Sequence, residues 1–370
     1  MLLDELRIHA RVFAEREAVD PETFPARDIA DLFALGMLSA PFPRSVGGGE
    51  LSCDACVSLV IELAASSPST ALLACMPMGL AAASAAAAVA APSAHRATAL
   101  EQMERVAADY AQKRYYAACN SERGAGGALT AMKTVARRDA SGQFHLTGEK
   151  ILASGGQNAA VFFSGATIDP AALPGSGAVE FFLTETTAPG VHILDDWDGF
   201  GMRSTESHSV RYEGAPTREL LGFPNLVELA QPWVYSHCLF AAIPLGCALG
   251  ILRELGTPAP SSPALRLRLS EAQMRYEAAR AYLLETARGW EAGASPAWRA
   301  RVLRTKAYVT QDTTRLAAEL FALSGGRHYR RSSHVARLLA SSFAGTALRP
   351  PLPLALDMLA EGFGLDPNDS

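Results

Sequence analysis

The apolar residues of this 370-residue chain change their period twice, and that change limits the available folds more than any single motif does. Up to about Lys113 they recur at helical spacing. Phe24, Ile29, Leu32, Phe33 and Leu35 fall roughly at that spacing, and Gly36 is placed to end that helix. Val57, Val60, Ile61, Leu63 and Ala64 repeat the pattern, which stops near Pro68. From about Arg114 to Gly222, short apolar runs (115–119, 144–146, 161–165, 179–183) alternate with Gly, Asp, Ser and Pro clusters, as strands joined by turns do. Ser141-Gly142 reads as a hairpin turn between Val135 and Phe144. Helical spacing returns from about Leu226 in four stretches, 236–255, 264–292, 297–323 and 334–347, with a stiff proline-rich break after the first. The expected organisation is α+β and multidomain: an α-helical domain over 1–113, a β domain over 114–225 and a four-helix bundle over 226–370.

A chain of this length exceeds what one hydrophobic core serves, which agrees with several domains. Its net charge of −5 supplies no basic stripe for nucleic acid, so none is expected as a partner. The uncharged stretch 71–91 is long enough to cross a membrane. Its apolar content is mostly alanine, however, and it contains Pro77, Gly79 and Ser84, so a tightly packed internal helix is expected rather than a span. Cys53 and Cys56 form a lone C-x-x-C without a second ligand pair, which predicts two buried residues on one helical face and no metal. The first 17 residues lack the basic–apolar–small pattern of a signal peptide, so reduced thiols and a cytoplasmic location are expected.

Four motifs carry a resemblance. Leu35-Gly36-Met37-Leu38, Ala40-Pro41 and Gly47-Gly48-Gly49 precede Glu62-Leu63-Ala64. Next comes Cys119-Asn120-Ser121-Glu122-Arg123-Gly124-Ala125-Gly126-Gly127, then Thr147-Gly148-Glu149-Lys150-Ile151-Leu152-Ala153-Ser154-Gly155. The last is Trp197 with Gly201-Met202-Arg203. In this order the motifs resemble the acyl-CoA dehydrogenase superfamily over nearly the whole chain. The resemblance implies that family's fold, with a β-barrel-like middle domain, and an FAD cofactor. It assigns cofactor contacts to Cys119, Ser121, Glu122, Gly126, Gly127, Leu152, Ser154 and Gly155, and the adenine end to Gly325 and Gly326. Ser121 matches the hydroxyl at the pyrimidine edge of the flavin, Ser154 the one at N5, and Leu152 a position beside the ring. Arg203 and His208 are open between ligand contact and fixing a loop.

The same resemblance implies hydride transfer from an acyl-CoA thioester or related small molecule to flavin N5, in a homodimer or homotetramer, with an electron-transfer flavoprotein or a reductase as possible redox partner. The sequence departs from the family at the carboxylate that removes the α-proton. No acid lies between Val335 and Leu356, and ungapped alignment sets Arg349 near the glutamate position. The first bundle helix offers only His237 as a substitute base. The segment that reaches a neighbouring subunit's FAD pyrophosphate is replaced by 258–263, with Arg266 and Arg268 as the nearby cations. Ser154-Gly155 is similar to the flavin monooxygenase branch, so a monooxygenase or oxidase is the alternative activity, and a non-catalytic binding subunit the third.

Overall fold

A computed structural model describes residues 2–361, the side chain of Thr130 excepted. Five helices come first: α1 (Leu2–Val19), α2 (Ala26–Ala34), α3 (Cys53–Ala64), α4 (Pro68–Ala90) and α5 (Arg96–Ala111). Eight strands follow: β1 (Tyr116–Ala118), β2 (Val135–Arg138), β3 (Phe144–Ala153), β4 (Val161–Ile168), β5 (Val179–Glu185), β6 (Val191–Ile193), β7 (His208–Pro216) and β8 (Glu219–Leu220). Helices then resume with α6 (Leu226–Ala230), α7 (Trp233–Gly256), α8 (Pro263–Arg288), α9 (Pro296–Leu323), α10 (His334–Ser342), α11 (Ala344–Ala347) and α12 (Leu352–Glu361). The fourth helical stretch read from sequence is thus broken at Phe343 into α10 and α11, and α12 lies beyond it.

The strands form one mixed sheet in the order β6-β7-β3-β2-β4-β5-β8. Strands β1 and β2 both pair parallel to β4, β1 along 161–163 and β2 along 167–168. The chain between them has no place in the ladder and is extruded from the sheet. Asn120 Oδ1 fills the gap by accepting the Gly165 N–H at 2.8 Å. Strand β3 gains one residue against β7 between Lys150 and Ala153, a bulge that turns its end away from regular pairing. These two irregularities place the two serine-bearing segments side by side.

Two helices, α4 and α7, are long and apolar enough to span a membrane by length and composition. Both are core helices of this fold, since 89% and 78% of their most apolar windows are buried within the protein. Small residues let α7 approach α3 closely. A Cβ on Gly246 would lie 2.4 Å from the Ile61 carbonyl oxygen, and one on Gly250 2.3 Å from that of Ala65. Glu62 fixes the same crossing through a two-pronged pair with Arg253 on α7, at 2.6 and 3.0 Å. Cys53 and Cys56 are buried in α3, and among the described residues no group of three or more candidate ligands stands together.

Candidate functional site

A cavity of about 900 Å³ opens where all three segments meet. Leu72 and Met76 of α4 close one side, the extruded loop and the end of β3 another, and α7 with the 340–358 region the third. Ser121, Gly127, Leu152, Ser154 and His237 all line it. The two hydroxyls converge because the Ser121 carbonyl accepts the Ile151 N–H at 2.8 Å, three residues before Ser154. Gly127 has φ +89° and packs against Pro351, whose Cδ would lie 2.4 Å from an added Cβ. Leu152 has φ +59° and is 44% exposed. A strained backbone that presents a large apolar side chain to open space is a common feature of ligand sites.

Ser154 Oγ lies 2.8 Å from Ser207 Oγ, which lies 2.6 Å from Thr205 Oγ1, itself 2.7 Å from the Met202 carbonyl oxygen. Each hydroxyl has one proton. All three contacts are hydrogen bonds only if Thr205 donates to the carbonyl, Ser207 to Thr205 and Ser154 to Ser207. Ser154 therefore turns lone pairs, not a proton, toward the cavity.

The remaining residues read as cofactor contacts stand outside the cavity wall. Glu122 is buried in an ion pair with Lys150 at 2.6 Å, and it accepts the backbone N–H groups of Lys133 and Thr134. Burial pushes its pKa up, but the Lys150 hydrogen bond and these N–H groups outweigh that and hold it below the ordinary value. Its role is to pin the loop. The Cys119 N–H bonds the Phe163 carbonyl, and burial pushes its thiol pKa up to about 11. Gly155 packs against Tyr115, Leu73 and Phe24, while Gly126 faces open space. Gly325 and Gly326 lie past the end of α9, near a separate cleft lined by Arg327, His328, Arg330 and His334.

Arg203 and His208 fix a loop. Arg203 pairs with Glu22 at 2.9 Å. His208 Nδ1 accepts the N–H groups of Asp196 and Trp197 at 3.1 Å each, which requires the Nε2–H form of a neutral ring. The loop it holds brings Trp197 to the cavity. The His237 ring has no protein hydrogen bond among the described residues and lines the cavity half-buried. Desolvation, with Lys306 and Arg349 adding repulsion, lowers its pKa to about 3.

Several contributors were not legible in the sequence. Trp233 stacks on Phe163 with centroids 5.7 Å apart and meets Phe181 at 4.5 Å, forming an aromatic wall drawn from α7, β4 and β5. Lys306 of α9 is buried and donates to the carbonyls of Gly345, Leu348 and Pro350 at 3.1, 2.7 and 2.6 Å. Its only signal was a charge among the buried residues of α9, Val302, Thr305, Val309 and Thr310. Among the described residues no Asp or Glu lines the cavity, whereas Arg299 and Arg349 both do.

Residues 117–215 match the family model for the acyl-CoA dehydrogenase middle domain, and 249–340 the one for its C-terminal domain. The chain is similar to a probable short/branched chain specific acyl-CoA dehydrogenase of Dictyostelium discoideum, 21% identical over 347 residues that cover 90% of this chain and 81% of that protein. It is 27% identical to amino sugar nitrososynthase DnmZ of Streptomyces peucetius, covering 59% of this chain and 58% of that protein. It is 28% identical to dibenzothiophene monooxygenase of Rhodococcus qingshengii, covering 58% of this chain and 49% of that one. The match thus spans about half the length of these last two relatives. Among solved structures, KijD3 in complex with FMN and a dTDP-linked amino-keto sugar superposes with a TM-score of 0.84 at 20% identity, covering 100% of this chain and 94% of that one. Butyryl-CoA dehydrogenase from Megasphaera elsdenii superposes at 0.81 and 18% identity, covering 98% and 97%. With both family models matched in order and the fold shared from end to end, this chain belongs to the acyl-CoA dehydrogenase superfamily.

Proposed function

We propose that this protein is a flavin-dependent monooxygenase acting on an apolar, ring-bearing substrate, with reduced flavin delivered by a separate reductase. One observation carries the reading: among the described residues no carboxylate faces the cavity, and Arg349 enters it from the segment that aligns with the family's catalytic glutamate. Removal of a weakly acidic α-proton needs a positioned base, and a histidine with a pKa of about 3 is a poor one. The nitrososynthase and monooxygenase relatives support the same direction.

The cavity walls suit a flavin. The hydroxyls of Ser121 and Ser154 line the cavity for a polar ring edge, and Leu152 and Trp197 offer apolar surface for its faces. A bound flavin supplies two-electron chemistry, taking up hydride when oxidised or activating dioxygen when reduced. Ser154 presents an acceptor, which suits a ring nitrogen that carries a proton, as N5 does in reduced flavin. The aromatic wall keeps water from the reacting atoms. FMN is the form we favour over FAD. Arg266 turns Nη1 to the Pro260 and Ser261 carbonyls at 2.8 and 2.7 Å and Arg268 pairs with Glu271 at 2.9 Å, each within its own segment, and the similar KijD3 was solved with FMN.

The second reading is α,β-dehydrogenation of an acyl thioester, favoured by the Dictyostelium relative that covers 90% of this chain. One experiment separates the two. The purified protein is reconstituted with FMN or FAD, reduced, and supplied with oxygen and a panel of hydrophobic aromatics, with oxygen uptake and product mass followed. Substrate-dependent oxygen insertion is expected, reduced roughly tenfold in Ser154→Ala by loss of one hydrogen bond of about 1–1.5 kcal/mol. Anaerobic bleaching of the bound flavin by acyl-CoAs would reverse the assignment.

A further inference from the structure

We propose that the cavity takes its substrate as an anion, a hydrophobic carboxylic acid or phenol in its ionised form, and that Arg349 is the residue that pairs with the charged oxygens. The inference deepens the reading above by naming a substrate class, and its first readout does not depend on flavin.

The charges around the cavity are one-sided. Arg299 and Arg349 line it, the amine of Lys306 lies directly behind with burial lowering its pKa to about 7, His237 stays neutral, and no described acid lines the cavity. A guanidinium has five N–H donors in a planar fork. Arg349 spends one on a protein acceptor, Nη2 on the Asn120 carbonyl at 2.9 Å, and its Nε is buried without a partner. Desolvation lowers its pKa to about 10, and the nearest acid acting on it, Glu122, is already committed to Lys150. Arg349 is half-buried, and a partly desolvated cation without an anion carries a cost that a removable anion relieves. The position of Arg349 is also enforced, because Lys306 holds the carbonyls of Leu348 and Pro350 on either side of it. A carboxylate meets the fork with two oxygens. Most of the remaining lining is apolar, with Phe163, Phe181, Phe200, Trp233, Phe240 and Phe343 among it. A charged head at Arg349 and a ring-bearing body against these side chains satisfy both parts. An acyl thioester, neutral at its reacting carbonyl, gives Arg349 no counter-charge there.

The test uses the full chain with benzoate and phenylacetate as probes and benzamide and phenylacetamide as their uncharged partners. Binding is read by quenching of tryptophan fluorescence, since Trp197 and Trp233 both line the cavity, and independently by perturbation of the flavin spectrum after reconstitution. The acids are expected to bind at least roughly tenfold tighter than the amides. Arg349→Gln should abolish that preference, weakening acid binding roughly thirtyfold or more, and Arg349→Lys should retain part of it. Equal affinity for acid and amide in the wild type overturns the proposal. So does an unchanged preference in a folded Arg349→Gln protein. If Arg349→Gln instead loses FMN while still binding riboflavin, the arginine serves the cofactor phosphate and the substrate proposal fails. Fluorescence quenching that follows this pattern in a protein taking up no flavin leaves the anion site standing and removes the flavin reading alone. Should Arg349→Gln not fold, the wild-type preference and the Arg349→Lys variant decide.

Discussion

At the scale of single residues, the cavity is controlled by side chains whose charge or proton position is set by what surrounds them. His237 is the clearest. Its folded pKa of about 3 lies below the ordinary value near 6.5, so the unfolded chain binds the extra proton first as pH falls. Its contribution to stability is therefore complete above about pH 6.5 and declines as the solution is acidified toward pH 3, by at most about 1.4 kcal/mol per pH unit. His237→Asn should remove this part of the acid sensitivity. Urea unfolding at pH 7 and pH 5 is expected to show a smaller loss for the variant, by at most about 2 kcal/mol. Identical pH dependence in both proteins would mean that the ring is solvated and not held neutral. Ser154 belongs at the same scale: its identity makes a hydroxyl available, but Thr205 and Ser207 decide which end of it faces the ligand.

At the scale of elements, the α3–α7 crossing holds the first helices against the bundle. Exchanging a helical glycine for alanine gains about 1 kcal/mol of intrinsic helix propensity. At Gly250 that gain is opposed by a Cβ placed 2.3 Å from the Ala65 carbonyl oxygen and 2.7 Å from Leu338 Cδ1. A backbone oxygen cannot rotate away, so the helices must separate, and overpacking of this kind costs about 1–3 kcal/mol. Repulsion wins. Gly250→Ala is expected to lower the urea midpoint with an unchanged slope, and a stabilised variant would show that the crossing is looser than described. The β-domain elements work by interruption: the shared edge of β4 and the bulge at the end of β3 place the serines where continuous strands would have kept them apart.

At the scale of the whole molecule, the cavity exists only when all three segments dock, since each contributes a wall. The outer face of the bundle is less finished. Leu267 and Met274, seven residues apart on α8, are 61% and 63% exposed, and Tyr308 on α9 is 45% exposed beside Tyr282. An apolar strip of this kind on a helix pair fits self-association about a two-fold axis. Light scattering at micromolar concentration is expected to give a dimer or tetramer, with Met274→Glu moving the population toward smaller species. A wild-type monomer would reject the assignment of this face.

The order of helices and strands was legible because hydrophobic period is a local property, read over a dozen residues at a time. The buried state of α4 followed from its alanine content, and the pairing of β2 with β3 from a local turn. The motifs carrying Ser121 and Ser154 were visible for the same reason. What the sequence left open depends on distance in space. Glu122 sits one residue from Ser121, yet it turns into the core to meet Lys150. Trp233 finds Phe163 and Phe181 across 52 or more positions of chain. The absence of a glutamate near Arg349 was plain in the amino acids alone. That this arginine enters a cavity without acids, fixed by a buried lysine 43 positions earlier, was decided only by tertiary packing, because an electric field sums over neighbours in space whatever their order along the chain.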